Sequence, residues 1–273
     1  MRLAVNWSPA AEKLVLEGKI DVDLWKCSDW PELVGPALKT RPAYVHFPIH
    51  TSADFNVDWA KVRGWMDITG TKNVNMHLVA TRKDFPDIPF DSRDPAHRER
   101  VITMMVDCIE RAGKEMGIER IVCENLPSAR ADDEEHPWPI FAAIDPLTVR
   151  EAILRSGARL LLDLDHARNA ADLLGMDAKE YVEILPVDRI GELHMSGVQQ
   201  QGDRLEDHMG LSAECWTYVD WAIGEMHAGR WATPDICAFE YGGIGPVFRD
   251  RCNPAVLEAQ VPRLLAGVRS LNK

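Results

Sequence analysis

The chain has 273 residues and a formal net charge of −12, from 31 Lys and Arg against 43 Asp and Glu. With 46% apolar and 27% charged residues it has a globular composition and can bury a substantial core, while no local cluster of Lys and Arg offers a groove for a nucleic-acid backbone. No apolar run approaches the roughly 20 residues of a membrane helix, and MRLAVNWSPA lacks the basic-then-apolar layout of a secretion signal, so a cytoplasmic protein with no membrane or nucleic-acid partner is expected.

Short apolar runs alternate with stretches of helical periodicity along the whole chain. RLAVN (2–6) reads as a strand and PAAEKLVLEGK (9–19) as the helix after it. VDLWK (22–26) precedes DWPELVGPALK (29–39), AYVHF (43–47) precedes VDWAKVRGWMDITG (57–70), and NVNMHLV (73–79) precedes PAHRERVITMMVDCIERAGKEMG (95–117). RIVCEN (120–125), RLLLDL (159–164), RIGELHM (189–195) and DICAFEY (235–241) complete the strands. Their helices are DPLTVREAILRSG (145–157), ARNAADLLG (167–175), SAECWTYVDWAIGEMHAG (212–229) and NPAVLEAQVPRLLAGVRS (253–270). Asp94-Pro95, Asp145-Pro146 and Asn253-Pro254 are helix starts, and Gly117, Gly157 and Gly229 are helix stops.

Eight strand–helix units predict an α/β fold, a (β/α)8 TIM barrel in a single domain over residues 1–273. No GxGxxG or GxxxxGK[ST] follows any strand, which removes the usual signatures of nucleotide binding. Two connections are longer than plain turns, 127–145 and 196–212. The acidic ADDEEHP of the first reads either as a solvated loop or as a lid. The six cysteines form no CxxC pair, and Cys123 and Cys237 lie in apolar runs that suit buried free thiols. Trp25, Trp59, Trp65, Trp216 and Trp221 sit at spacings that suit packing.

Metal-capable side chains fall at successive strand ends: His46 in the third, His77 in the fourth, Glu124 in the fifth, Asp163 in the sixth, His194 in the seventh and Glu240 in the eighth. In a parallel barrel these ends ring one mouth, and mixed imidazoles and carboxylates are the donors that Zn, Mn and Fe take. Asp163 and His166 add a D-x-x-H spacing, and Asp207-His208 lie in the second long connection. Taken singly, each has a structural account: Asp163, Asp165 and Asn169 could cap the following helix. His50 and Lys26 could face the mouth, and Asn125 could orient Glu124 or turn the chain.

This strand-end series resembles the xylose isomerase-like TIM-barrel superfamily, which includes sugar isomerases, epimerases and apurinic endonucleases. ENLPS (124–128), LLDLDHARNAADLLG (161–175), IGELHMSG (190–197) and the run from Asp207-His208 to Trp216 look most like its multinuclear non-haem iron-dependent oxidative enzymes. The resemblance implies two or three divalent metal ions, iron in the oxidative group and zinc or manganese elsewhere, held by His46, His77, Glu124, Asp163, His166, His194, Asp207, His208 and Glu240. It further implies oxidation of a small or peptide substrate, often offered by a partner protein. The chain departs from that pattern at Asp165-His166, where Asn is usual, and at Glu240-Tyr241-Gly242, where Glu-Trp-Asp is usual. The Asp-x-His of the seventh loop is also contracted, leaving Glu206 or Asp207 to pair with His208.

The endonuclease branch fits a −12 chain poorly. Iron oxidative chemistry is the preferred expectation, and a divalent-metal sugar isomerase or epimerase is the alternative, with Glu124, Glu240 and His166 as the candidate catalytic groups. A third alternative is a non-catalytic scaffold with structural metal, which nine donors suit badly because structural sites are usually closed at four.

Overall fold

The computed structural model describes residues 1–133, 137–201, 204–244 and 251–272. Eight parallel strands, each followed by helix, form the (β/α)8 arrangement predicted from the alternation. They are β1 (Arg2–Asn6), β2 (Leu24–Ser28), β3 (Ala43–His46), β4 (Val74–His77), β5 (Ile121–Glu124), β6 (Arg159–Asp163), β7 (Ile190–Met195) and, after a two-stranded insertion that takes β8 and β9, β10 (Ile236–Phe239). Their order in the sheet is β3-β2-β1-β10-β7-β6-β5-β4.

The elements divide between two compact units, each discontinuous in sequence. The first comprises Met1–Phe47, Ala60–Lys72 and Gly191–Lys273. In it β1 pairs with β2 and β10, β2 with β3, and β10 with β7, all parallel. Alternate residues of these strands share a face, so Ala4, Leu24, Tyr44, Ile236 and Ala238 form one buried layer. Helix α1 (Pro9–Leu16) packs on α10 (Pro254–Ser270), which also meets α9 (Ala213–His227). Helices α2 (Pro31–Ala37) and α3 (Trp59–Thr69) follow β2 and β3.

The second unit comprises Pro48–Trp59 and Asn73–Ile190. Here β5 pairs with β4 and β6, placing His77 beside Glu124 and Glu124 beside Leu161. The long α4 (Pro95–Met116) lies against α6 (Pro146–Ser156), and α7 (Leu164–Leu174) against α8 (Ala178–Ile184). The caps expected at Asp94, Asp145 and Asn253 form: each side chain accepts from the backbone N–H two residues on, an interaction worth about 1 kcal/mol. Gly117, Gly157 and Gly229 take positive φ at the helix ends, as their stop positions require.

Two connections differ from the expectation of plain loops. The connection 127–145 ends in a short helix α5 (Phe141–Ile144). The acidic stretch read there as solvated loop or lid includes residues 134–136, which lie outside the described residues. The connection 196–212 is an antiparallel hairpin of β8 (Gly197–Gln201) and β9 (Arg204–Met209). Its runs carry polar side chains where a strand would ordinarily show apolar alternation, so only the two-residue Gly202-Asp203 spacing between them signals a hairpin.

All six cysteines are free and five are buried, Cys123 and Cys237 fully so. Burial pushes the Cys27 and Cys237 thiols up to about 12, which leaves them inert. Trp25 is fully buried, whereas Trp216 lies half-buried under the Arg263 guanidinium, 3.9 Å from the ring centre. No helix among the described residues is long and apolar enough to cross a membrane.

At the start of the hairpin the Gly197 backbone passes so close to Gly210 that a Cβ would overlap the Gly210 carbonyl oxygen. Gly197→Ala should therefore destabilise the protein by about 1–3 kcal/mol through overpacking. Thermal unfolding should show a midpoint several degrees lower, and an unchanged midpoint would mean the hairpin yields freely.

Candidate functional site

A strand that turns one side chain inward turns the residue two positions along inward as well. In the second unit this rule carries His77, Glu124 and Asp163 to the last positions of β4, β5 and β6. The Asn125 amide holds the latter two strands in place, its Nδ2 donating to the Asp163 carbonyl at 2.9 Å and its Oδ1 accepting from the Asp163 N–H at 2.9 Å. Asp163 serves two ends. Its Oδ1 caps α7, accepting from the N–H groups of Asp165 and His166 at 2.8 Å each, while Oδ2 lies 3.6 Å from His166 Nδ1. The cap reading and the cluster reading of Asp163 are thus both realised.

His166 stands in the first turn of α7, with Nδ1 2.9 Å from the Asn125 carbonyl and 3.4 Å from Glu124 Oε1. His77 Nδ1 lies 3.1 Å from the Ile49 carbonyl, and its Nε2 lies 3.2 Å from Glu124 Oε2. A carbonyl oxygen can only accept, so both rings carry hydrogen on Nδ1, which leaves His77 Nε2, facing Glu124, as that ring's ligating nitrogen. Glu124, Asp163 and His166 offer donor atoms within 4.8 Å of one another, and all three are buried. His50 bridges the main chain at His77 and sets its ring edge-on, 4.8 Å away. Asn169 accepts from the Ser128 N–H, and Asp165 is buried in α7, so neither caps the helix.

In the first unit His46 ends β3, His194 lies one residue before the end of β7, and Glu240 follows β10 directly. The His46 and His194 rings are 5.2 Å apart, and His194 Nδ1 lies 3.2 Å from Glu240 Oε1. Lys26, at 7% exposure, forms an ion pair with Glu240, which fixes the one barrel-borne cation anticipated from the second strand. His208 comes from β9 with φ 55°, a left-handed conformation that costs on the order of 1 kcal/mol outside glycine. Two bonds hold it there: its N–H donates to Ser196 Oγ at 2.9 Å, and its Nδ1 lies 3.0 Å from the Glu240 carbonyl. Asp207, not Glu206, is the carboxylate on the His208 ring, 3.7 Å from Nε2, while Glu206 lies 3.5 Å from Arg251.

Two residues that the strand-end series passes over belong to this cluster. Glu192 Oε1 lies 2.8 Å from His194 Nε2 and accepts from the Tyr44 hydroxyl at 2.9 Å. Both precede a cluster histidine by two positions, and that period of two is the signal that could have found them.

Of the nine residues singled out from the sequence, four lie in the second unit and five in the first. Their donor chemistry fits metal ions. The ligating nitrogens of His77 and His194 each face a carboxylate oxygen at 3.2 Å, a separation that a metal ion or a ring proton can bridge. Two ligands about 2.1 Å from one ion, at an angle of about 100°, stand about 3.2 Å apart.

Comparison with known proteins agrees with the resemblance read from the sequence. The family model described as RiPP precursor modification enzyme MbnB/TglH/ChrH matches residues 95–229, just under half of the chain. That span holds Glu124, Asp163, His166, His194, Asp207 and His208. A UPF0276 protein of Acaryochloris marina is 28% identical over 131 residues, 46% of this chain and 44% of the relative. A second, from Rhizorhabdus wittichii, is 29% identical over 117 residues, 39% of this chain and 42% of the relative. The chain thus matches less than half the length of these curated relatives. Two solved structures described as sugar phosphate isomerase/epimerase, from Parabacteroides distasonis, share the fold with a TM-score of 0.53. They are 11% and 12% identical to this chain, and the superpositions cover 96% and 100% of it and 97% and 96% of those chains.

The two-way Asn125 bridge predicts a defined loss. Asn125→Ala leaves the buried N–H and carbonyl of Asp163 without these partners, which costs about 2–4 kcal/mol for the two groups. Urea unfolding should show a lower midpoint at unchanged slope; a shift below about 0.5 kcal/mol would assign those backbone groups other partners.

Proposed function

We propose that the protein is a metal-dependent enzyme that uses iron to oxidise a peptide substrate. The observation that carries the metal is the pairing of a ligating imidazole nitrogen with a carboxylate oxygen in each unit, His77 with Glu124 and His194 with Glu240. In this reading His46, His77, Glu124, Asp163, His166, His194, Asp207, His208 and Glu240 hold the ions. The match to peptide-modifying enzymes over residues 95–229 supports a peptide substrate.

Iron held by these residues would supply the redox chemistry with O2. The chain's own groups keep that arrangement in place. Main-chain carbonyls at Ile49, Asn125 and Glu240 accept from Nδ1 of His77, His166 and His208 and so hold the orientation of these rings. Lys26 sets a fixed positive charge against Glu240. Burial of Glu124, Asp163, His194 and Glu240, each at most 4% exposed, keeps bulk water from competing for the donors. Glu124, Glu240 and His166 are the groups this reading assigns to catalysis.

Anaerobically purified protein should contain two or three iron ions per chain by elemental analysis, with a Mössbauer signature of non-haem iron. Glu124→Gln should lose at least one ion and most O2 consumption in the presence of peptide substrate. A protein that takes up only zinc and ignores O2 would overturn the oxidative reading. If that protein also exchanged a sugar phosphate proton with D2O, the isomerase or epimerase reading would replace it.

A further inference from the structure

The cluster histidines are not all held in the same way. His77, His166 and His208 each direct Nδ1 at a main-chain carbonyl, at 3.1, 2.9 and 3.0 Å. His194 is reversed: its Nε2 faces the Glu192 carboxylate at 2.8 Å, and its Nδ1 faces Glu240 at 3.2 Å. The Glu192 contact is the shorter of the two, which places the His194 hydrogen on Nε2 and leaves Nδ1, toward Glu240, as the ligating nitrogen.

The carboxylate is itself held. Tyr44 donates its hydroxyl hydrogen to the same Glu192 oxygen at 2.9 Å, and the three side chains are buried, at 5% exposure for Tyr44, 2% for Glu192 and 0% for His194. Glu192 precedes His194 by two residues on β7, and Tyr44 precedes His46 by two on β3, so both lie one layer deeper in the first unit than the residues at the strand ends. With two hydrogens directed at it, Glu192 Oε1 is occupied as an acceptor.

We propose that Glu192, locked by Tyr44, is a positioning residue that sets the tautomer of His194 and strengthens it as a metal ligand, and is not a ligand itself. Carboxylate-backed imidazoles are stronger donors than carbonyl-backed ones, because the negative charge raises electron density on the ring. His194 is thus the most strongly donating histidine of its cluster, and its affinity is set by a side chain, whereas that of its neighbour His208 is set by the backbone. The inference rests on the metal-binding reading, and the test separates the two.

Zn2+ and anaerobic Fe2+ titrations would be run calorimetrically on the wild type, Glu192→Gln, Glu192→Met and Tyr44→Phe, with 15N-histidine NMR of each metal-free protein. Glu192→Gln, nearly identical in shape, should bind the ion held by His194 about 10-fold to 100-fold more weakly than the wild type. Tyr44→Phe should weaken the same ion by a smaller factor. The wild-type spectrum should show His194 with hydrogen on Nε2, and Glu192→Met should shift it toward the Nδ1 form, a change that simple loss of packing does not produce. Wild-type affinity and tautomer in all three variants would overturn the role of Glu192. Complete loss of that ion in Glu192→Gln would make it a ligand and also overturn the proposal. Failure of the wild type to bind either metal would instead defeat the proposed function.

Discussion

A β-strand returns its side chains to the same face every second residue, and the chemistry of this protein depends on that spacing at the ends of its strands. In the first unit Ala4, Leu24, Tyr44 and Ala238 form an apolar layer, and two residues further along the same strands come Asn6, Lys26, His46 and Glu240. The apolar residue fixes the inward phase by burial, at roughly 25 cal/mol per Å2 removed from water, and the polar residue two positions on inherits it. A one-residue slip in register would turn Lys26 and Glu240 to the outer face together with the core, so the core enforces the site.

Burial then sets an electrostatic demand. Glu124 and Asp163 offer oxygens within 4.8 Å of each other at 2% exposure, where two carboxylate charges repel by about 3.5 kcal/mol at an effective dielectric constant of 20. Helix α7 offsets part of this, since Asp163 Oδ1 accepts two N–H groups at its N-terminus. In the first unit Lys26 answers Glu240 directly. Glu124, Asp163 and Glu240 belong to buried groups that could hold a metal ion, so part of the net charge of −12 lies in the interior rather than on the outer surface.

The fold was legible because each strand is an apolar run and most helices carry a cap or a glycine stop. Every one of the eight barrel strands was found to within two residues at its start. The hairpin was not legible: Gln199, Gln200 and Gln201 give it no apolar face, and it is held by backbone pairing. The short helices Phe141–Ile144 and Ala178–Ile184 were missed for want of length, since fewer than two or three turns show no clear period. Among the site residues, the strand-end rule located the donors but passed over Glu192 and Tyr44. These sit where barrel strands ordinarily carry core residues, and a buried carboxylate there becomes intelligible only once His194 and the Tyr44 hydroxyl are seen against it.

The two ways of orienting an imidazole have different consequences. A main-chain carbonyl cannot be removed by substitution, so His77, His166 and His208 keep their tautomer for as long as the fold persists. It is also neutral, so it fixes direction while adding little to donor strength. A carboxylate adds charge, but burying one costs several kcal/mol unless it is fully hydrogen-bonded. Glu192 meets that cost with a histidine N–H and a tyrosine O–H on one oxygen, the latter from a strand that contributes to the apolar layer. The strength of His194 as a donor therefore varies independently of the fold, through a side chain one layer beneath it.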